Sequence, residues 1–485
     1  MPDHTPYDLL LRNGTVIDGS GAPRIQADVA ILGDRIAAVA PTGSIAADRA
    51  KQSIDVAGRV VAPGFIDVHT HDDRAVIDGP DMLPKISQGV TTVVVGNCGI
   101  SLSPLTLKGA PPPPLNLLGD EAAYEFPSFA DYRGRLDKVV PGVNVAALIG
   151  HSSLRIGTMA DVGRKANAGE IDAMRRLLAD SLDAGAIGFS TGLYYKPNAA
   201  ADADEVAALA ELLADRGGVY ATHMRDEHDK VLDSLEESFS TARRARVPVV
   251  ISHHKCAGPH NWGRSRETLP VIEAASKNQP VGLDAYPYTA GSTVLDPDHV
   301  TGDIRIMVAW SKAQPEMAGR DLADIAAEWG CTEKEAAVRL HPAGAIYFQM
   351  DEADVRRILS FPLTMIGSDG LPHDSHPHPR LWGTFPRVLG HYSRDLGLFP
   401  LETAVHKMTG LSAMRFNLPH RGLVREGHAA DLVVFDPAHI ADAATFEAPK
   451  TPSRGLDFVV VNGRMSWRAG ETEVDRAGRL LVRAG

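Results

Sequence analysis

The sequence predicts a (β/α)8 TIM-like barrel that carries a small β-sandwich domain, formed by the N- and C-terminal segments, and an inserted lid subdomain. Three observations predict it. Eight short Val-, Ile- and Ala-rich runs, separated by polar sequence with helical spacing, fill the middle of the 485-residue chain. Alternating apolar and polar residues, punctuated by Gly, Asn and Asp, occupy both ends. A long polar stretch interrupts the rhythm between the seventh and eighth runs.

The terminal segments come first. "DLLLRNGTVIDGSG", "ADVAILGDRIAAVA" and "SIDVAGRVVAPGFID" alternate with a period of two between turn residues, which indicates short antiparallel strands. "ADLVVFDP" and "LDFVVVNGRMSW" have the same character. Residues 1–60 and 416–485 are therefore read as two parts of one β domain, with the barrel, 61–415, inserted between them.

The eight runs are "VVAPGFIDVHTH", "TTVVVGNCG", "NVAALIGHSS", "AIGFSTGL", "VYATHMR", "PVVISHHK", "VGLDAYPY" and "TMIGSD". Continuous apolar runs suit strands of a parallel sheet buried on both faces. Segments such as "GEIDAMRRLLADSLDAG" and "DADEVAALAELLADRGG" have helical spacing, acidic starts and glycine ends. An open doubly wound sheet is the structural alternative, but its nucleotide-binding glycine fingerprint is absent after the early runs. Residues 291–348, which include "AGRDLADIAAEWGCTEKEAAVRL", read as a helical, polar lid over the barrel mouth. "APPPPLNLLG" reads as an extended loop at the same mouth, because proline lacks an amide donor.

Bulk properties narrow the partners. A net charge of -12 without any basic block argues against nucleic acid or an anionic membrane surface. "MPDHTPYDLL" lacks the features of a signal peptide, and no apolar stretch is long enough to span a bilayer, so a cytoplasmic protein is expected. Cys98, Cys256 and Cys331 are too few and too scattered for a disulfide framework.

The chemistry lies at the ends of the runs. His69 and His71 close the first, Cys98 the second, His223 the fifth, His253 the sixth and Asp369 the eighth. In this barrel the C-terminal strand ends form the rim where active sites are built. Residues two apart on a strand share a face and are about 6.6 Å apart, which pairs His69 with His71. Imidazoles beside a thiolate favour zinc over magnesium or calcium. Cys98, His223 and His253 make a three-ligand set that leaves a position for water. Asp369 is a candidate general base, or a plain metal ligand. Lys255 and Arg380 are candidates to bind a substrate carboxylate, unless each pairs with a neighbouring acid. "HDSHPHP", with His373, His376 and His378, reads as a proline-rich solvated loop rather than an extra metal site. Cys256 and Cys331 read as structural.

Together "GFIDVHTHDD", "GNCGIS", "YATHMRDE", "ISHHK", "LDAYPYTAGST" and "IGSDGLPHD" resemble the N-acyl-D-amino-acid deacylases (D-aminoacylases) of the amidohydrolase superfamily, over about Asp8 to Asn462. The resemblance implies zinc-dependent hydrolysis of N-acyl-D-amino acids. It implies a tight zinc on Cys98, His223 and His253, a weaker one on His69, His71 and Asp369, and proton transfer by Asp369. Tyr286 and Ser292 would join Lys255 and Arg380 on the substrate α-carboxylate, with Tyr194 or Tyr195 nearby. "TVLDPDHVTGD" offers only His299 to an acidic side chain, which favours neutral or apolar substrates. Lys196 would reverse this if it reached inward, leaving N-acyl-D-glutamate or N-acyl-D-aspartate deacylation as an alternative. A cyclic-amide hydrolase of the dihydroorotase or hydantoinase kind predicts a lysine at the end of the fourth run, where "AIGFSTGL" has none. A non-enzymatic scaffold predicts missing ligands, yet all six are present.

Overall fold

The computed structural model describes residues 7–482, so the ends of the expected β domain and the first residues of the "MPDHTPYDLL" start lie outside the described residues. Strands β1 (Tyr7–Val16), β2 (Ile25–Leu32), β3 (Arg35–Pro41), β4 (Ala50–Asp55) and β5 (Val60–Pro63) begin the chain. The barrel strands are β6 (Phe65–Asp67), β7 (Val90–Val95), β10 (Asn144–Gly150), β11 (Gly188–Gly192), β12 (Val219–His223), β13 (Val249–Ile251), β14 (Val281–Ala285) and β18 (Thr364–Ile366). A two-stranded ribbon, β8 (Leu105–Thr106) with β9 (Glu125–Phe126), decorates the loop after β7. Three lid strands, β15 (Gly291–Val294), β16 (Ile306–Ser311) and β17 (Ala343–Tyr347), precede β18. The last strands are β19 (Leu432–Phe435), β20 (Leu456–Val461) and β21 (Arg464–Arg468).

All eight apolar runs became strands of one parallel sheet in the order β6-β7-β10-β11-β12-β13-β14-β18. A parallel bridge from Thr70 to Gly370 links its two edges and closes the barrel beyond the ends of β6 and β18. The period-two alternation is visible in the packing. Val94, Ala146, Leu148, Val219, Ala221 and Val250 share one cluster, while Val93, Val95, Val145, Ala147, Tyr220 and Val249 face the surrounding helices in another. Both faces are therefore dry, as continuous apolar runs require. The helix Ala168–Asp183 starts in a capping box of Asn167 and Glu170.

Strands from both ends of the chain form a second, mixed sheet. β1 pairs with β4 up to Arg12, shifts register between Leu11 and Gly14, and then pairs with β5. This change of partner lets the sheet fold over one shared core that includes Leu9, Leu11, Val29, Val61, Leu432, Val434 and Val460.

The lid has the expected helices, Leu322–Glu328 and Glu333–Leu340, but they pack on an unexpected three-stranded antiparallel sheet in the order β15-β17-β16. Its strands are short and sit beside strongly helical, polar sequence, which masked their signal. The proline loop after β7 has no regular helix or strand, only a single 3-10 turn, Leu115–Leu117, whose Leu115 and Leu117 are buried in the main core.

Candidate metal centre

Five barrel strands deliver the candidate ligands. His69 and His71 follow β6 in an extended segment pinned by the Thr70 N–H, which donates to the Val94 carbonyl at 3.2 Å. Asp369, beyond β18, is fixed where its N–H meets the His69 carbonyl at 2.8 Å. Cys98 lies just past β7, His223 ends β12, and His253 lies just past β13. Cys98, His253 and Asp369 adopt φ of 54°, 35° and 51°, left-handed conformations that cost a non-glycine residue about 1–3 kcal/mol each. Tight neighbours hold them there. A Cβ on Gly192 would stand 2.2 Å from the Cys98 carbonyl, so only glycine lets β11 approach that turn.

The donor atoms converge. Cys98 Sγ is 3.2 Å from His69 Nε2 and 3.4 Å from His253 Nε2, and His253 Nε2 is 3.0 Å from His223 Nδ1. Asp369 Oδ1 is 3.2 Å from His71 Nε2 and 3.5 Å from His69 Nε2. Zinc–ligand bonds of about 2.0–2.3 Å in a tetrahedron separate the donors by roughly 3.3–3.7 Å, so these spacings fit a metal ion. Cys98 is as near to His69 as to His253, which puts its sulfur between the two expected ligand sets.

Electrostatics agree. Burial pushes the Cys98 thiol up, but the neighbouring His69 and His253 outweigh it and hold the thiol well below its ordinary range. Burial also raises Asp369, yet Arg380 and His69 keep its carboxyl well below the usual carboxylate range. For His71, burial lowers the imidazole, while hydrogen bonds with Asp369 and Cys98 lift it to about 9. A thiolate and a carboxylate set among imidazoles form the charge pattern that a divalent cation completes.

Two further candidate residues escaped the sequence reading. Asp284, in β14, places Oδ1 3.2 Å from His69 Nδ1 and accepts the His253 N–H at 2.9 Å. Glu227 lies 3.0 Å from His253 Nδ1. A carboxylate on Nδ1 of each ring leaves Nε2 directed at Cys98, the usual way a histidine ligand is oriented. Their signals were present: Asp284 sits in the seventh run, "VGLDAYPY", and Glu227 four residues after His223. Behind the ligands, buried Lys85 joins Asp67 at 2.8 Å, Asp72 at 3.2 Å and the Ser368 hydroxyl at 2.7 Å, tying the first rim loop to the eighth.

The candidate substrate contacts lie in three places. Arg380 links Tyr286 and Ser292 to Asp369: it lies 2.9 Å from Asp369 Oδ2, stacks 4.5 Å from the Tyr286 ring centre and donates to the Ser292 carbonyl at 3.1 Å. The Ser292 hydroxyl and Arg380 Nε are buried without a hydrogen-bond partner. Lys255 meets both oxygens of Glu227, at 2.8 and 2.7 Å, so the pairing with a neighbouring acid considered above is present for Lys255 and for Arg380 alike. Tyr194 and Tyr195 wall the opposite side, their rings 5.3 and 5.0 Å from His223. The Tyr194 hydroxyl meets His299 Nδ1 at 2.9 Å. Lys196 is exposed.

The histidine-rich loop is only partly solvated. His373 is exposed, His376 half-buried and His378 buried, and none of them joins a ligand cluster among the described residues. Cys256 is buried and its thiol is pushed up to about 12, which leaves it inert. Among the described residues no helix is long and apolar enough to cross a membrane.

The model of an amidohydrolase family matches residues 52–341 and 332–466. A D-aminoacylase from Alcaligenes xylosoxydans xylosoxydans is 55% identical over 99% of both chains. A crystal structure of D-aminoacylase superposes with a TM-score of 0.95 at 56% identity, covering 99% of this chain and 100% of that one. N-acyl-D-glutamate deacylase from Bordetella bronchiseptica, solved with zinc and a phosphonate mimic of the tetrahedral intermediate, gives a TM-score of 0.94 at 46% identity over 99% and 100% of the two chains. The chain belongs to the amidohydrolase family, on its D-aminoacylase branch.

Proposed function

We propose that this protein hydrolyses the amide bond of N-acyl-D-amino acids with neutral or hydrophobic side chains, releasing a carboxylate and a free D-amino acid. The observation that carries the reading is the meeting of Cys98, His69, His253 and Asp369 at one buried point beside Arg380. In this reading the barrel of 61–415 supplies the chemistry, the insertion of 291–348 covers it, and the terminal segments 1–60 and 416–485 form the supporting domain.

Cys98, His223 and His253 would hold one zinc tightly, and His69, His71 and Asp369 a second more weakly. When bound, zinc supplies Lewis acidity that lowers the pKa of water toward neutrality and polarises the scissile carbonyl. Asp369 takes the proton of the attacking water and returns it to the departing amine, as general base and then general acid. Arg380, whose Nη atoms now meet Asp369 and the Ser292 carbonyl, would release one of them to grip the substrate α-carboxylate together with its unpartnered Nε, with Tyr286, the unpartnered Ser292 hydroxyl and Lys255 completing the clamp. The paired state of Lys255 means that Glu227 shares this ammonium with the substrate. Tyr194 and Tyr195 confine the acyl carbonyl against His223.

Side-chain preference rests on the cations available. Lys196 is exposed, and His299 at the lid already engages Tyr194, which leaves no committed partner for a side-chain carboxylate. The D preference is supported by similarity to D-aminoacylase and to N-acyl-D-glutamate deacylase. The test is hydrolysis of paired N-acetyl-D- and N-acetyl-L-amino acids, including glutamate and aspartate, with metal content measured on the same sample. Turnover of neutral D substrates with bound zinc is expected. Faster turnover of the acidic D substrates would assign the glutamate or aspartate class, and turnover confined to cyclic amides would overturn the reading.

A further inference from the structure

Between β19 and β20 the terminal domain sends out an excursion, 436–455, closed at its neck by the antiparallel bridge Ala441–Arg454. It leaves its own sheet and reaches the helix Arg380–Arg387, whose first residue is Arg380. At the far end of that helix Arg387 donates to Asp442 at 3.1 Å and to the Pro287 carbonyl, next to Tyr286, at 2.8 Å. Gly383 admits the close approach, since a Cβ there would stand 3.0 Å from Asp442 Cβ. At the near end the Phe446 ring packs 5.0 Å from His378, whose Nδ1 accepts the Arg380 N–H at 2.9 Å. The other side of Phe446 lies 4.7 Å from Phe348 of the lid. One loop of the small domain therefore holds both ends of the helix that presents Arg380, and touches the lid as well.

We propose that this excursion is a brace for the α-carboxylate clamp, and that Phe446 and Asp442 are positioning residues acting through Arg380. The proposal rests on the clamp assigned above to Arg380, Tyr286, Ser292 and Lys255. A bidentate guanidinium–carboxylate pair tolerates displacement of only about 0.5 Å, so the axis and start of its helix must be fixed from outside the barrel. The brace supplies that fixation without touching substrate.

The test uses the zinc-loaded enzyme and two substrates, N-acetyl-D-methionine and its α-carboxamide, which lacks the charge the clamp grips. Phe446→Ala should raise KM for the acid about tenfold while kcat stays within about threefold. KM for the carboxamide, metal content and circular dichroism should be unchanged, and any change in kcat, transmitted through the Arg380–Asp369 pair, should be the same for both substrates. Asp442→Asn, on a half-buried side chain, should shift the acid in the same direction, and Phe446→Leu should restore most of the loss. Equal rises in KM for acid and carboxamide, or no rise in either Phe446→Ala or Asp442→Asn, would overturn the brace while the clamp stands. A wild-type enzyme that does not prefer the acid would refute the clamp and the brace with it.

Discussion

Asp284 offers a sharp test of the metal centre because it touches two candidate ligands and no substrate contact. Its Oδ1 is 3.2 Å from His69 Nδ1 and accepts the His253 N–H at 2.9 Å. Asp284→Ala removes the acceptor that keeps the proton on Nδ1 of His69, so the tautomer with Nε2 protonated and turned away from metal ligation gains population. It also leaves the buried His253 N–H without its side-chain partner, in a residue already at φ 35°. Losing such an outer partner typically weakens metal affinity 10- to 100-fold, or about 1.4–2.7 kcal/mol. Asp284→Asn keeps the shape and an oxygen for both contacts but loses the charge, and should cost on the order of tenfold. The assay is a titration of apoenzyme with zinc against a chromophoric chelator, with thermal unfolding of each variant as a control for folding. Affinities within twofold of wild type for both variants would refute the claim that these imidazoles depend on Asp284 for their orientation.

Other outcomes follow from the same geometry. Cys98→Ala should release the metal, because the sulfur lies between His69 and His253; a full zinc complement in that variant would refute the ligand set. Asp369→Asn should retain metal at Cys98, His223 and His253 but lose at least about a hundredfold in kcat, and a near-normal rate would exclude proton transfer by Asp369. Buried Lys407 has carbonyl partners and burial lowers it from 10.5 to about 7, so the unfolded chain binds more protons between those values and stability should rise with pH across roughly 7 to 10.5, by at most about 1.4 kcal/mol per pH unit. Lys407→Met should flatten that slope, and identical pH–stability curves would refute the assignment.

What was legible in the sequence followed from burial. Each barrel strand is a run of residues that must be dry on both faces, so "TTVVVGNCG" and "NVAALIGHSS" announced β7 and β10 without any pairing information. The convergence of the candidate ligands was legible because a polar residue ending such a run has only the rim to occupy. Asp284 and Glu227 were not, because a carboxylate near a histidine in sequence says nothing about which ring it will meet: Asp284 reaches His69, more than two hundred residues away, through barrel closure alone. Lys255 was legible as a cation but its partner was not, for the same reason. The lid strands were hidden by length: Gly291–Val294 has only four residues, and its partner β17 arrives some fifty residues later. The brace was hidden more deeply still, since "PAHIADAATFEAPKTPSRG" has no periodicity and acquires meaning only from the barrel helix it meets.

Charge at the centre bears on how many metal ions it holds. Cys98, Asp369, Glu227 and Asp284 bring four anionic groups into contact with the candidate ligands, while Lys255 and Arg380 bring two cations. With the imidazoles neutral as ligands, two negative charges remain, which one divalent ion balances. A second divalent ion would leave the buried site two charges positive, and an incoming substrate carboxylate would neutralise only one of them. In a low-dielectric interior that imbalance is costly, so the second ion should bind far more weakly than the first. Zinc titration of apoenzyme should therefore resolve one tight equivalent and a second that needs excess metal. Two equivalents of equal affinity would refute this charge balance.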